Sequence, residues 1–271
     1  MPRHLGRGTV TALLVLGALA MMFPFLWSVI TSISSGAGLT SSPSLIPESP
    51  SLDAYRTLFS STDFTRVVIN SVGIAAVVTA AQVTTSALAA YAFTRLRFPG
   101  RGVIFAIYLA TMMIPMQVLI VPLFVEMRTL GLVDTYAGVI VPSLASAFGV
   151  FLLRQSMAVV PRDFDEAATL DGAGHLRIFR SVVLPLVKPA LATFAVFSFM
   201  SSWNSFLWPL IILRSDELKT LPVALAQLQG QFTTQWDVMM AGSVISILPM
   251  LLIYIVAQKQ VAQGVAGSGL K

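Results

Sequence analysis

Glu166, Ala167 and Ala168, followed after three residues by Gly172, are the residues whose types and spacing best define a task, and the task is docking. Asp163, Asp165 and Glu166 come just after Pro161, an arrangement that starts a helix with carboxylates near the positive end of its dipole. Phe164, Ala167, Ala168 and Asp171 fall at i, i+3, i+4 and i+7, so one face would set a bulky aromatic beside two very small residues and admit a close neighbour. Gly172 and Gly174 then end the helix, since glycine accepts the left-handed conformation of helix termini. A second helix is expected from His175 through Val182 to Leu184 and Pro185. The unit is a helix, a glycine turn and a helix.

Other chemistries are poorly provided for. The chain has no cysteine, and its two histidines, His4 and His175, are far apart in polar segments, which excludes a histidine metal cluster within one chain. There is no GxxxxGK[ST] phosphate loop and no Gly-Lys dipeptide, so any ATP used must be bound by another chain. Neither histidine and no carboxylate falls at membrane depth, which leaves an intramembrane hydrolase without a nucleophile and base. The net charge of +5 is spread over many connecting segments and gives no basic face for nucleic acid.

The elements that position the docking unit are apolar. With 56% hydrophobic residues, 11% charged residues and a mean hydropathy of +0.82, the 271-residue chain is an all-α polytopic membrane protein. Apolar runs predict six transmembrane helices at about 9–32, 67–93, 103–125, 136–153, 189–213 and 239–257, the first uncleaved and kinked at Pro24. They form one six-helix transmembrane domain over 9–257. Short termini (1–8 and 258–271) and loops at 34–66, 126–135, 154–188 and 214–238 complete the chain, with a short interfacial helix at Leu52–Phe59. Twelve of the seventeen Lys and Arg fall in the termini, the second-to-third connection and the fourth-to-fifth connection. Positive residues are retained on the cytoplasmic side, so both termini and the 154–188 loop are expected there.

All Asp, Glu, Lys and Arg lie in loops or at span ends, which speaks against an ion-coupled carrier. Among neutral groups in the spans, Gln82, Gln117 and Asn204 are the candidates for a translocation path, because a primary amide in hydrocarbon needs a partner or a wet cavity. Helix-helix hydrogen bonding is the competing role. Trp203, Phe206 and Trp208 could stack on a sugar ring or anchor at the interface. Pro115, Pro122, Pro142, Pro209 and Pro249 would each kink a span. Met112, Met113 and Met116 read as packing. The 214–238 loop reads as an amphipathic hairpin around Gly230.

Glu166-Ala167-Ala168, three residues, Gly172, nine residues, Val182, one residue, Leu184-Pro185 resembles the EAA loop of permease subunits of binding-protein-dependent ABC importers, with Val182 where isoleucine is usual. The flanking Asp171-Gly172-Ala173, Ser202-Trp203-Asn204, Trp208-Pro209-Leu210, Ile69-Asn70-Ser71 and Arg97-Phe98-Pro99-Gly100 are similar to the smaller permease of maltose-type and glycerol-3-phosphate-type carbohydrate importers. The resemblance implies a type I ABC importer permease fold in the bacterial inner membrane. It implies a second homologous permease, an ATPase dimer that binds ATP and Mg, and an extracytoplasmic substrate-binding protein as partners, within membrane lipid.

By the same resemblance, Phe164, Asp165, Glu166, Ala167, Ala168, Asp171, Gly172, Leu184 and Pro185 couple to the ATPase. Gln258, Lys259 and Gly264 of the tail reach the ATPase interface. Gln227, Gln229, Gly230, Gln231 and Phe232 form the tip that meets the binding protein. The alternative reading is a stand-alone secondary carrier or channel in which the 161–189 loop is a gate.

Overall fold

The structure, a computed structural model, describes residues 7–34, 49–61, 63–231 and 236–269. Helices dominate these residues, and a lone antiparallel bridge pairs Ser34 with Pro50. Helices α1 (Arg7–Ser32), α3 (Phe64–Arg95) and α14 (Trp236–Gly269) are each long and apolar enough to cross a membrane in one piece. Three further crossings are possible only as bent pairs.

The first pair is α4 (Arg101–Ala110), extended by a 3-10 turn to Met113, with α5 (Met116–Thr129); the two meet at 100°. The second is α6 (Tyr136–Ile140), extended to Ser143, with α7 (Ala147–Val159), meeting at 42°. In the third, His175–Leu186 meets α11 (Lys188–Trp203) at 81°. The spans expected at 103–125 and 189–213, each with kinks at prolines, are therefore corrected to broken segments. Pro115 takes an extended conformation (φ −68°, ψ 140°) and breaks the former. Pro189 removes a backbone donor beside the bend at Val187, and α11 stops at Trp203 before the short α12 (Leu207–Ile212). Pro24, by contrast, lies inside an uninterrupted α1.

The chain forms two compact units. One comprises residues 1–66 and 221–249. In it α2 (Asp53–Ser61) is held at its start by Ser51 N–H donating to the Ile33 carbonyl at 2.8 Å, and Tyr55 and Ser32 hydroxyls meet at 2.9 Å. The expected hairpin around Gly230 is instead one helix, α13 (Leu221–Gln231), which runs through that glycine. Leu225 of α13 sits on Gly242 of α14. Leu14, Leu16 and Met21 of α1 are exposed, as suits lipid or a second membrane chain.

The other unit comprises residues 67–220 and 250–271 and is built on α3. Thirty-two residues at 1.5 Å per residue make α3 about 48 Å long. Near its start Ile74 and Val78 join Met127, Val139, Trp208 and Ile212 in one buried cluster. Near its end Ala87, Ala90 and Tyr91 join Leu153, Met157, Phe179, Val183 and Phe194 in another. Lipid is as apolar as these side chains, so close packing and hydrogen bonds must hold the helices together. Gly149 shows how close the packing is: a methyl group there would overlap the Phe194 ring and the Ser86 hydroxyl. The helices also exchange hydrogen bonds, Thr85 Oγ1 donating to the Leu144 carbonyl at 2.9 Å for example.

Candidate functional site

The docking unit begins with α8 (Asp163–Leu170), whose first turn holds Asp163, Asp165 and Glu166. It ends at Gly172, which adopts φ +78°, the left-handed conformation that residues with a Cβ resist. Gly174 does something else: it is extended (φ −75°, ψ 166°) and precedes α9 (His175–Ile178). A π-helical stretch, Phe179–Val183, and α10 (Leu184–Leu186) continue α9.

The face expected on α8 is divided by the fold. Asp165 and Ala168 turn inward, Ala168 packing on the cluster at the end of α3, whereas Phe164, Glu166, Ala167, Leu170 and Asp171 are exposed. Leu170, which composition alone did not single out, is 90% exposed and adds a second exposed apolar side chain to that of Phe164. Leu184 packs on the same cluster and Pro185 is exposed.

The hairpin is tied to α3 by contacts that sequence reasoning missed. Arg95 Nε lies 2.8 Å from Asp165 Oδ2, with the arginine side chain 5% and the carboxylate 18% exposed, and a second Arg95 nitrogen donates to the Val160 carbonyl at 2.9 Å. Tyr91 donates to the His175 carbonyl at 3.2 Å, and its ring meets Phe179 at 5.1 Å. The only advance signal was opposite charge on Arg95 and Asp165, which does not specify a pairing.

At the other end of α3, Ser71, Ile74, Val78 and Gln82 lie on one helix face and line a cavity of about 310 Å³. Gln117, Ser143, Ser198, Ser201, Ser202, Trp203 and Phe206 complete much of its wall, and none of its lining residues is charged. The three amides proposed from sequence separate here. Gln82 is a brace, its Nε2 donating to the Ser143 carbonyl at 2.8 Å and its Oε1 accepting from Ser198 at 2.9 Å. Gln117, in the first turn of α5, is exposed to the cavity and has no hydrogen-bond partner among the described residues. Asn204 lies off the cavity, where it ends α11 by donating to the Met200 carbonyl at 2.8 Å.

Trp203 and Trp208 are buried in the protein rather than placed as interfacial anchors. Trp203 is buried and stacked near Phe199, and the Trp208 indole donates to the Gly138 carbonyl at 3.1 Å.

Beyond the cavity, Asn70 cross-links the unit, its amide nitrogen donating to the Glu217 and Lys219 carbonyls while its oxygen accepts from Tyr136 at 2.7 Å. Asp134, held at φ 60°, accepts from the Ser215 hydroxyl and from the Ser215 and Arg214 N–H groups. Those bonds, the Ser215 hydroxyl foremost, hold the Asp134 carboxyl below the ordinary carboxylate range.

Of the remaining sequence candidates, Gln258 lies on α14, which continues through Gly264, and donates to the Ile255 carbonyl at 2.9 Å. The side chains of Lys259, Gly264, Gln229, Gly230 and Gln231 and the whole of Phe232 lie outside the described residues. Gln227 is on α13. Among the described residues no group of three or more His, Cys, Asp and Glu could hold a metal.

Residues 82–267 match the family model for the binding-protein-dependent transport system inner membrane component. The chain belongs to that family. This inner membrane component is 33% identical over 257 residues to the lactose transport system permease protein LacG of Rhizobium radiobacter, covering 95% of this chain and 94% of that one. It is 32% identical to the sn-glycerol-3-phosphate transport system permease protein UgpE of Salmonella typhimurium, covering 94% of each. It is 38% identical over 202 residues to the arabinooligosaccharides transport system permease protein AraQ of Halalkalibacterium halodurans, covering 74% of this chain and 72% of that one.

Its fold matches a chain in the crystal structure of a bacterial ABC transporter involved in the import of the acidic polysaccharide alginate. The TM-score is 0.83 at 30% identity, covering 93% of this chain and 95% of that one. A second structure, an alginate ABC transporter in complex with a pentasaccharide-bound periplasmic protein, shares the fold at a TM-score of 0.67 and 15% identity. The chain is thus a multi-pass transport permease subunit of type I importer fold, as the EAA-like spacing led us to expect.

Proposed function

We propose that this permease subunit, with a second homologous permease in a bacterial inner membrane, forms the path for a neutral carbohydrate or polyol. A separate ATPase dimer binds ATP and Mg and drives the cycle, and an extracytoplasmic binding protein delivers the solute. The observation that carries the proposal is the tie between the exposed Phe164–Asp171 surface and α3, the helix whose Ser71–Gln82 face lines the cavity. A push on α8 from an ATPase reaches α3 through Arg95 and Tyr91. The energy comes from the ATPase's preference for one position of α8, since binding shifts an equilibrium only by such a difference.

The uncharged cavity lining supports a neutral solute over a phosphate ester, which needs a cationic partner. Gln117 and the hydroxyls of Ser201 and Ser202 are the groups suited to meet solute on this chain's side. The names of two relatives, a lactose and an arabinooligosaccharide permease, support a neutral carbohydrate, whereas the glycerol-3-phosphate permease carries the phosphate ester that the uncharged lining speaks against.

Affinity purification from detergent-solubilised membranes tests the assembly: an ATPase and a second permease should copurify. Glu166→Lys should leave the chain in the membrane and abolish stimulation of ATP hydrolysis by the binding protein. A chain that purifies alone, or normal stimulation in the variant, rejects the proposal. The compounds retained by the cognate binding protein identify the solute.

A further inference from the structure

Where α3 ends, a second cavity of about 350 Å³ opens among the last turn of α3, the first turn of α4, the end of α7 and residues 160–162. Arg95, Arg101, Arg154 and Arg162 line it, and no Asp or Glu does. Arg95 is matched by Asp165. Among the described residues the other three guanidinium groups meet no carboxylate: Arg101 donates to the Leu96 carbonyl at 3.0 Å, and Arg162 donates to the Thr94 carbonyl at 3.3 Å. Arg154 lies 4.2 Å over the Phe105 ring with its Nε buried and unbonded. Converging guanidinium groups with spare donors fit a phosphate oxygen fork better than any neutral ligand.

The flank of this cavity is apolar. Val159, part of its lining, is 79% exposed, and α4 leads away from Arg101 with Val103 and Ile107 exposed at 65% and 63%. A free anion or an acidic peptide would use the guanidinium groups and leave those side chains in water. A ligand with a phosphate head and hydrocarbon chains satisfies both.

We propose that this cavity binds the phosphodiester headgroup of an anionic phospholipid, with its acyl chains against α4. Basic pockets between membrane helices are suited to such headgroups. Arg162 immediately precedes α8 and Arg95 holds Asp165, so the lipid positions the coupling hairpin. The site is separate from the solute cavity and does not depend on which solute is carried.

The test is native mass spectrometry of the purified transporter complex from micelles doped with phosphatidylglycerol or phosphatidylcholine. Phosphatidylglycerol should be retained preferentially. Arg101→Gln and Arg154→Gln should each reduce retention about fivefold, the effect of one basic residue near an anionic surface, while Arg101→Lys and Arg154→Lys keep most of it. Should the Gln variants fail to assemble, the lipid preference of the unaltered complex and the Lys variants still decide. Equal retention of the two lipids, undiminished retention in the Gln variants, or displacement of phosphatidylglycerol by inorganic phosphate alone would overturn the proposal.

Discussion

Arg95 and Asp165 make the contact on which the proposed transmission rests, and its energetics can be isolated. Both side chains are largely buried, so removing one charge leaves the other stranded in a poor dielectric, at a cost of about 3 kcal/mol. Asp165→Asn and Arg95→Gln should each lower the thermal stability of the purified complex, while the double variant should lose about 1–3 kcal/mol less than the sum. Strict additivity would mean that the ion pair does not join the hairpin to α3. The polar residues show how far single residue types can be read. Gln82, Gln117 and Asn204 look alike in sequence, each an amide in an apolar run. Only the fold distinguishes a brace, a cavity donor and a helix end, because the distinction depends on neighbours dozens of residues away.

Helices and their breaks were legible to different degrees. The docking unit could be read because its signals are local: carboxylates after Pro161 and a glycine where φ must be positive. Pro115 marked a kink, but neither its 100° angle nor the bend at Val187 was legible, since hydropathy summed over a window is the same for a straight helix and a folded one. The direction of α8 was half legible. Its apolar spacing marked a face, but α8 packs on protein with Ala168 and leaves Phe164 and Leu170 outside, so both faces carry apolar groups. Leu170 and Phe164 therefore mark the outward surface. Leu170→Asp should weaken ATPase copurification without reducing the amount of permease in the membrane, measured by immunoblot of both chains. Undiminished copurification would place the docking surface elsewhere.

For the molecule as a whole, orientation is the property that ties the two ends of α3 to their tasks. Asn70 and Arg95 are separated by about 37 Å along that helix. Counting Lys and Arg predicts that the Arg95 end, where the arginine-lined cavity and the α8 hairpin are also grouped, faces inward. The absence of native cysteine makes a direct measurement simple. Single cysteines at Leu170 and Asp216 should react with a membrane-impermeant maleimide from opposite sides, Leu170 only in inside-out vesicles. Labelling of both from the same side would reverse or abolish the assignment.

The break at Pro115 also bears on how the chain is made. A segment bent through 100° leaves backbone amides at the start of α5 without helical partners, and hydrocarbon does not tolerate such groups. Its α4 and 3-10 portions rest on α7, which leaves the ribosome later. This part of the nascent chain therefore cannot settle in the bilayer alone; it must wait in a sheltered, water-accessible place until α7 arrives, which makes biogenesis here a cooperative event rather than a stepwise threading of helices.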